Sequence, residues 1–590
     1  MTDPQSKTEI RLQGIGVSPG IASGPVELLK SSLEEPEHIS VPRIEVKTEK
    51  ERLSKAIVST RQQIISMQQV LDSDTNSDEI NIFDAHLLLL EDSSVLEEVV
   101  RLVENDLKSV DWAYYKVIKR YVDSLRKISD PYLRERAVDI EDVAQRVLKN
   151  LRWPDGDAQG LALKGDTAIV LAHDLTPSDT VSFDRSKVLG FATEAGTPTS
   201  HTAIMARSLN IPAVVALHKF PENCYPGDDV LIDGYHGLVI LNPTAETRKE
   251  YEALVEQEAG VLSDLRELKD AGTHTIDGRK IVLSANIEFK KELQDVKDEG
   301  AEGVGLYRTE YFYINEKELR GEEKQTGIYT AVAQAVAPHG AIIRTLDIGG
   351  DKLCPDLFEN PEPNPFLGWR GIRSSLDRVD EFKDQLRAIL RASAHGKVGL
   401  MYPFISSLEE IRSANAILEE CKEELRGKGI AFSEDIEVGA MIEIPSAVLV
   451  ADHLAKEVDF FSIGTNDLIQ YTTAVDRVND RVADLYRPTH PAVIKLLKET
   501  VEAAHRNDIW CGVCGEAASD PIMAPIWVGL EVDELSVGAA QVLRMRRAIS
   551  RLDTEECKQL LESVYNCGLA SEVHDICEEK ARAAYPELLL

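Results

Sequence analysis

The chain has 590 residues and a formal net charge of −35, from 66 basic and 101 acidic residues. Such an anionic surface repels nucleic acid and anionic lipid and favours a basic protein partner. The length predicts two to four domains. The sequence contains no apolar run of about 18 residues, so we expect no membrane span. The polar N-terminus does not resemble a secretory signal. The eight cysteines are too dispersed for a disulfide scaffold, so we expect free thiols in a reducing cytoplasm.

The first 151 residues contain a short extended segment and then a long helical region. Residues 11–27 alternate apolar residues with glycine and proline, which predicts a short strand and a tight turn. From about residue 48 to residue 151 the apolar spacing is helical, and residues 78–100 predict a hairpin of two helices. The acidic side chains expected on the solvent-facing side of that hairpin are Asp84, Glu91 and Asp92.

Strand–helix alternation runs from residue 165 to residue 245. We therefore predict one α/β domain, built from residues 11–30 and 152–243 and interrupted by an all-helical insertion over residues 45–151. Residues 244–271 are charged and lack proline, which predicts a linker helix that can orient the domains on either side.

Residues 272–590 predict a (β/α)₈ barrel, because eight apolar segments alternate with helical patterns. The predicted strands are residues 281–287, 303–308, 341–348, 398–405, 437–444, 460–464, 510–515 and 534–537. In such barrels the active site lies at the carboxyl ends of the strands. Polar residues stand near these ends along the whole segment: Asn286, Arg308, Arg344, Glu443, Asn466, Asp467 and Cys514.

Three arginines are expected to converge on this end of the barrel, namely Arg308, Arg344 and Arg477. Guanidinium groups bind phosphate and carboxylate in bidentate fashion, so a cluster of them indicates a multiply charged anionic substrate. Lys352 and Arg370 are further candidates. A single arginine is more often part of a surface ion pair, but three at one rim are not explained in that way.

Glu443 and Asp467 are carboxylates at the ends of apolar strands. Two carboxylates, with substrate oxygens in the remaining positions, are the usual protein contribution to a Mg²⁺ site beside a phosphate. The alternative is that they form buried ion pairs with the arginines. The neighbouring Asn466 can donate a hydrogen bond to a substrate oxygen.

Cys511 and Cys514 form a Cys-x-x-Cys sequence, which elsewhere indicates a redox pair or half of a zinc site. A second cysteine pair or a histidine cluster is absent from the surrounding sequence. A thiol at the end of a barrel strand can instead protonate a carbanion as a general acid. We assign that role to Cys514 and expect Cys511 to pack in the core.

His201 follows a loop of small residues and begins a segment of helical spacing. Thr199 or Ser200 is a suitable N-cap, which places His201 in the first turn of the helix. Backbone N–H groups and the helix dipole at that position stabilise an anion. This placement favours a phosphorylated histidine over a purely structural one.

Six sequence motifs together resemble enzyme I of the bacterial phosphoenolpyruvate:sugar phosphotransferase system. In chain order they are TSHTAIMARSLNIPAV, GAEGVGLYRTEYF, RTLDIGGDK, NPFLGWRGIR, DFFSIGTNDLIQYTTAVDR and CGVCGEAA. With the N-terminal GIGVSPGIASGP, the resemblance covers nearly the whole chain.

The resemblance implies a role for each matching residue. His201 would be phosphorylated at Nε2, and Cys514 would be the proton donor. Glu443 and Asp467 would hold Mg²⁺, which Mn²⁺ can replace. The phosphoenolpyruvate-binding residues would be Arg308, Arg344, Asn466, Asp467 and Arg477, with Arg370 and Lys352 as additional candidates.

The resemblance also implies partners and a pathway. The phosphoryl group would pass from His201 to the phosphocarrier protein HPr, the first step of sugar uptake. The helical insertion would dock HPr, and the barrels would form a homodimer. One departure concerns the loop before the histidine: the family has Gly-Gly-x-Thr-Ser-His, whereas this chain has Thr197 and Pro198 after Gly196. Pro198 has no backbone N–H to offer a phosphoryl oxygen.

Three alternatives predict other features. A pyruvate-phosphate dikinase or phosphoenolpyruvate synthase needs an ATP-binding domain before the histidine domain, and the roughly 150 preceding residues show no phosphate loop. The nitrogen-related regulatory form of enzyme I usually carries an N-terminal sensory domain. A barrel lyase that only binds pyruvate leaves His201 unexplained.

Overall fold

The computed structural model describes residues 8–29, 36, 38–74, 87, 90, 93–127, 131–152, 167–173, 175, 187–196, 206, 211–217, 220, 224–310, 321–349, 362, 364–477, 479, 482 and 485–589. The chain forms two compact units, Met1–Val255 and Glu256–Leu590. Five predicted site residues lie outside the described residues: His201, Lys352, Asp84, Glu91 and Asp92.

The first unit contains an eight-stranded mixed sheet with the order β1-β8-β7-β3-β4-β5-β6-β2. Its strands are β1 (Ile10–Gln13), β2 (Ile15–Ser18), β3 (Ile21–Leu29), β4 (Ala168–Ala172), β5 (Val188–Thr193), β6 (Ala213–Val215), β7 (Asp229–Asp233) and β8 (Leu238–Leu241). Apolar side chains such as Ile169, Val214 and Ile232 are buried in it.

The prediction of one short strand over residues 11–27 is wrong, because this segment forms three strands. Strand β1 pairs with β8 at one edge of the sheet, and β2 pairs with β6 at the other. Gly14 lies between them, where a Cβ atom would come within 2.5 Å of the Val215 carbonyl oxygen. Gly20 precedes β3 with a φ of +122°, which a glycine adopts without strain.

The helical part of this unit contains α1 (Val46–Asp74), α2 (Ser93–Asp106), α3 (Val110–Arg126) and α4 (Pro131–Arg152). These helices have a hydrophobic core of their own, with Val99, Val117 and Val147 among its buried side chains. The predicted all-helical segment is therefore confirmed where the structure describes it.

Helix α5 (Ala245–Arg266) ends five residues before the predicted end at residue 271. A buried arginine from the far end of the chain holds the segment that follows the helix. Arg546 donates from Nη1 to the carbonyl oxygens of Leu268 (2.9 Å) and Lys269 (2.7 Å), and from Nη2 to that of Gly300 (2.6 Å). These carbonyl groups accept from a side chain instead of from the next helical turn.

In the second unit eight strands pair in parallel and close into a barrel. They are β9 (Val282–Ile287), β10 (Gly303–Tyr307), β11 (Gly340–Arg344), β12 (Val398–Tyr402), β13 (Glu437–Ile442), β14 (Phe460–Gly464), β15 (Trp510–Cys514) and β16 (Glu534–Gly538). Each overlaps one predicted strand, so the barrel prediction is confirmed.

The described helices of this unit are α6 (Leu293–Asp298), α7 (Glu322–Ala335), α8 (Ile372–Asp377), α9 (Val379–Ser393), α10 (Leu408–Lys428), α11 (Pro445–Leu449), α12 (Ala451–Leu454), α13 (Thr465–Thr473), α14 (Pro491–Arg506), α15 (Ala524–Gly529), α16 (Val542–Ser550), α17 (Thr554–Val564) and α18 (Ala570–Ala584). Local sequence sets the ends of α10. Ser407 and Glu410 form a capping box at its start, and Gly429 ends it in the left-handed conformation.

The barrel interior is filled by a layer of side chains from five of the eight strands. Leu306, Met401, Met441, Phe460 and Cys514 are all buried in this layer. It separates the two open ends of the barrel. We call the end at the carboxyl termini of the strands the mouth, and the end at their amino termini the floor.

Candidate active site

Arg308 and Arg344 stand side by side at the mouth. Arg308 directly follows β10, where its N–H donates to the Ile287 carbonyl oxygen at 2.9 Å, and Arg344 is the last residue of β11. Arg308 Nη1 lies 2.5 Å from Glu288 Oε1. Burial alone would lower the pKa of Arg308, but the Glu288 carboxylate outweighs burial and raises it. The Arg308 guanidinium is therefore firmly cationic.

Arg344 is almost completely buried and pairs with two carboxylates. Its Nη2 contacts Glu310 and lies 3.4 Å from Asp347 Oδ2, and its Nη1 lies 3.4 Å from the Met441 sulfur. Burial would lower the pKa of Arg344, yet these carboxylates and Glu443 raise it above its usual value. Its buried Nε–H finds no acceptor among the described residues. An anion bound at the mouth can supply that acceptor.

Arg370 is fully buried between two carboxylates. It donates from Nε and Nη2 to Asp347, both at 3.1 Å, and from Nη1 and Nη2 to Asp467 at 3.1 and 2.8 Å. A further N–H donates to the Tyr471 hydroxyl at 3.2 Å. All five donors are thus engaged, which suits Arg370 to hold Asp467 in place. Its direct contact with a substrate stays a prediction.

The two predicted metal ligands differ in their partners. Glu443 follows β13 and accepts a hydrogen bond from the Phe404 N–H at 2.7 Å, whereas Asp467 lies in the first turn of α13 and pairs with Arg370. Burial raises the pKa of Glu443, and the nearby carboxylates of Asp467 and Asp347 raise it further.

This arrangement fits a divalent cation. The buried carboxylates of Glu443, Asp467 and Asp347 repel one another. Among the described basic side chains, none forms an ion pair with Glu443. A cation beside Glu443 and Asp467 would remove the repulsion, and carboxylate oxygens suit Mg²⁺. The donor set therefore agrees with the sequence-based hypothesis.

Asn466 and Arg477 frame the same rim. Asn466 precedes Asp467, and its Oδ1 accepts from the Glu516 N–H at 3.0 Å, which leaves the amide N–H₂ group to face a ligand. Arg477 lies after α13, where its backbone N–H donates to Gln470 Oε1 at 3.1 Å, and its side chain interacts with the Tyr486 hydroxyl.

Cys514 is the last residue of β15, and its thiol is buried. Ser462 Oγ donates to its sulfur at 3.4 Å, and Arg344, Glu443 and Arg308 are close enough to affect its ionisation. Burial raises the pKa of the Cys514 thiol to about 11 against the lowering effect of Ser462. The thiol is therefore protonated at neutral pH, as a proton donor must be.

Cys511 lies three residues earlier on the same strand and is buried in the outer core rather than in the barrel interior. Its thiol has a strongly raised pKa because of burial. Both cysteines are free thiols. The paired-cysteine alternative therefore has no support in this geometry.

A buried glutamine that the sequence analysis missed connects the two arginine-bearing loops. Gln385 of α9 donates to Thr309 Oγ1 at 3.2 Å and accepts from the Leu346 N–H at 3.0 Å. Thr309 in turn donates to the Arg344 carbonyl oxygen at 2.9 Å. Glu310 and Asp347 were missed as well, although each lies within three residues of a predicted arginine. Acidic residues that follow a strand-end arginine so closely are a usable signal of this pairing.

The mouth thus brings together Arg308, Arg344, Arg370, Glu443, Asp467 and Cys514, with Asn466 and Arg477 at its rim. The cations can hold a phosphate or carboxylate, and the thiol can protonate a carbanion beside them. These properties match an anionic substrate that becomes protonated at carbon.

Three protein-family models match the chain. Residues 13–136 match the N-terminal domain of PEP-utilising enzymes, residues 164–237 their mobile domain and residues 263–554 their PEP-binding domain. The last range covers all eight barrel strands.

Full-length relatives are similar over nearly the whole chain. A phosphoenolpyruvate-protein phosphotransferase of Staphylococcus carnosus is 39% identical over 97% of this chain and 100% of its own length. One from Geobacillus stearothermophilus is 41% identical over 96% of this chain and 97% of its own. A solution structure of an enzyme I protein is 36% identical, covers 42% of this chain and 98% of its own, and superposes with a TM-score of 0.34.

Proposed function

We propose that this chain, which belongs to the family of phosphoenolpyruvate-protein phosphotransferases, moves the phosphoryl group of phosphoenolpyruvate to its own His201 and then to a histidine of the phosphocarrier protein HPr. One observation carries the substrate assignment: the buried Nε–H of Arg344 has no acceptor among the described residues, and Arg344 lies near Arg308 and a protonated thiol. A substrate with a phosphate and a carboxylate supplies acceptors to both Arg344 and Arg308.

In the first half-reaction His201 attacks phosphorus, so that an N–P bond forms and the bond to the enol oxygen breaks. Arg308, Arg344 and Arg477 orient the phosphate and carboxylate, and Asn466 donates to a substrate oxygen. The enolate left behind takes a proton at its terminal carbon from Cys514, which yields pyruvate.

The metal site belongs to the same proposal. Glu443 and Asp467 would hold Mg²⁺, with Mn²⁺ as a substitute, and the ion would supply positive charge to the substrate's oxygens. Only two protein ligands are invoked, because the described residues bring three potential ligand atoms within 4.8 Å of one another only at His574, Asp575 and Glu578. Binding of Mn²⁺, followed by electron paramagnetic resonance in the absence of substrate, should weaken strongly in Glu443→Gln. Unchanged Mn²⁺ binding would remove Glu443 from the site.

The remaining parts of the proposal concern surroundings and assembly. The described helices include none that is long and apolar enough to cross a membrane. We place the enzyme in the cytoplasm as a homodimer formed through the barrels. Leu449, with 80% of its surface exposed, and Leu367, with 66%, are apolar side chains available to such an interface. Sedimentation equilibrium tests the dimer directly.

Incubation with phosphoenolpyruvate labelled in its phosphoryl group, without nucleotide, tests the function. We expect acid-labile label on the chain, its transfer to HPr on mixing, and no label on His201→Ala. Label that requires ATP would instead indicate a dikinase or synthase. Undiminished label on His201→Ala would refute the assignment of that residue.

A further inference from the structure

The barrel has a cavity at its floor, on the far side of the apolar layer from the mouth. It encloses about 350 Å³ among the amino ends of the strands. Apolar and small residues form much of its wall, including Val282, Val304, Ile342 and Gly399. A volume of this kind holds a small organic molecule rather than a few water molecules alone.

The charged groups at this cavity are unevenly paired. Glu302 Oε2 lies 3.3 Å from Lys280, and Glu437 Oε2 lies 3.7 Å from Lys397. Asp533 Oδ2 accepts from the Cys511 N–H and lies 2.9 Å from His505 Nε2. Three of the four carboxylates that line the cavity therefore have basic partners.

Glu534 is the fourth carboxylate, and it is different. None of the basic side chains that the structure describes forms an ion pair with it, and its hydrogen-bond partner is the Ser284 hydroxyl. Burial, together with the carboxylates of Glu437 and Glu302, raises the pKa of Glu534 to about 7 against the lowering effects of Ser284 and Lys397. Its Oε1 approaches β10 so closely that a Cβ atom on Gly305 would lie within 2.3 Å. Glu534 is thus the one lining carboxylate without an ion-pair partner among the described residues, although Lys397 at the rim attracts it.

An aromatic wall lies close to this charge. Trp510 lines the cavity and stacks on Phe460, with ring centroids 4.4 Å apart and an interplanar angle of 9°. Its indole N–H faces Glu437 Oε1 at 3.4 Å. An aromatic ring beside a carboxylate is a favourable environment for an ammonium group attached to a short apolar chain.

A metal ion does not fit the same geometry. The described carboxylate, imidazole and thiol ligands form no group of three within 4.8 Å at the floor. The described floor residues therefore lack the three clustered ligands that a metal site built by protein atoms alone needs. A single ammonium group needs only one of them.

We propose that the floor cavity binds a small organic cation with one ammonium group, for which Glu534 is the counter-ion and Trp510 with the strand ends is the apolar wall. The rim is open to such a ligand, since the side chains of Lys397 and Glu437 are 68% and 39% exposed. The proposal does not depend on the chemistry at the mouth, because it uses none of the residues there.

The probe is n-butylammonium chloride, titrated into the full-length chain at pH 8 by isothermal calorimetry with ionic strength matched by NaCl. Burial of a four-carbon chain together with one ion pair gives an expected Kd on the order of 1 mM. We expect saturable one-site binding that weakens at least tenfold in Glu534→Gln. That variant keeps the size of the side chain and its bond to Ser284.

Glu419→Gln is the matched control, because Glu419 is an exposed glutamate that pairs with Lys422 on α10. It should bind the probe as the unmodified chain does. Absence of saturation, or equal affinity in Glu534→Gln, would overturn the proposal. Equal affinity for n-butanol would overturn it too, since that outcome means the cavity recognises the apolar chain alone. Labelling by phosphoenolpyruvate, measured on the same samples, reports the mouth separately.

Discussion

The mouth and the floor of the barrel are built from the same eight strands, yet their basic side chains differ in burial and in the number of carboxylate partners. At the mouth, Arg344 and Arg370 are buried and each contacts two carboxylates. At the floor, Lys280 and Lys397 are 56% and 68% exposed, and each has one carboxylate partner. Buried charges need complete compensation, whereas water compensates exposed ones. The strength of an ion pair here follows from burial more than from distance.

The connections explain this asymmetry. Segments that lead into the floor are short, such as the four residues between α9 and β12 and the three between α14 and β15. At the mouth, by contrast, Arg370 lies well beyond the end of β11 in the sequence and contacts Asp347 and Asp467. Residues between the strands thus supply buried partners at the mouth, while the turns named here at the floor are short.

The largest expected difference comes from removing one cation at each end. Arg344→Met leaves Glu310 and Asp347 without their shared partner, which should lower the free energy of unfolding by about 3–5 kcal/mol. Labelling by phosphoenolpyruvate should fall at least ~10²-fold, as for loss of a buried donor to a reacting group. Lys397→Met breaks a solvated pair with Glu437 and should cost less than about 1 kcal/mol. Urea unfolding and labelling rates measure both, and equal destabilisation would contradict the comparison.

The two cysteines of β15 sharpen the comparison within one strand. Cys514→Ala should slow pyruvate release by roughly 10²–10⁴-fold, the usual contribution of a positioned proton donor. Phosphoryl exchange between His201 and HPr should survive, because no carbon is protonated in that step. Cys511→Ala should lower stability by about 1 kcal/mol and leave turnover within a small factor. Equal loss of turnover in the two variants, or sensitivity to a reductant, would support the paired-cysteine alternative.

Replacement of Glu534 at the floor should raise stability, whereas the replacements described above lower it. The pKa of Glu534 in the fold is about 7, above the ordinary value, so folding disfavours the charged form. The unmodified chain therefore loses stability as pH rises from about 4 to 7, and the full cost is present above 7. Glu534→Gln removes the cost of holding the charged carboxylate in the fold. It should stabilise the chain at pH 8 by at most about 3 kcal/mol, with no gain at pH 4.

Asp277, just before β9, is the contrasting control. Hydrogen bonds from Thr275 and Thr554 lower its pKa to about 2, with Thr275 the larger cause. The charged form is favoured in the fold, so Asp277→Asn should destabilise at pH 8 and lose its effect as pH falls towards 2. Urea midpoints at both pH values distinguish the two variants; a stabilising Asp277→Asn would show that the signs are misassigned.

The smallest effect concerns the support of the mouth. Gln385→Met removes bonds to Thr309 and to the Leu346 N–H, at about 1–3 kcal/mol of stability. We also expect the KM for phosphoenolpyruvate to rise several-fold, since both arginine-bearing loops lose their common anchor. Gln325→Met, an equally buried glutamine that accepts from the Tyr329 hydroxyl, should cost stability without raising the KM. If the two variants change the KM equally, Gln385 has only a structural role.

Parallel strands buried on both faces appear as continuous apolar runs, which is why all eight barrel strands were predictable within a few residues. The same argument located Arg308, Arg344, Glu443 and Cys514 at strand ends. It failed at residues 11–27, where three strands pair with partners that follow the helical segment. Strands β1 and β2 have only four residues each and carry little periodic signal.

The sequence by itself determined the barrel, the helical segment, the family and the residue types at the strand ends, because these depend on local periodicity and on motifs. Only the tertiary structure decided which charges meet. Arg370 donates four hydrogen bonds to Asp347 and Asp467, residues 23 and 97 positions away, and one to Tyr471. Gln385 joins two loops from a third element. Glu534 looks like any other glutamate at a strand start until the closed barrel partly buries it beside Ser284, without an ion-pair partner among the described residues. Compensation of charge is a property of contacts between distant segments, and burial sets how much each contact is worth.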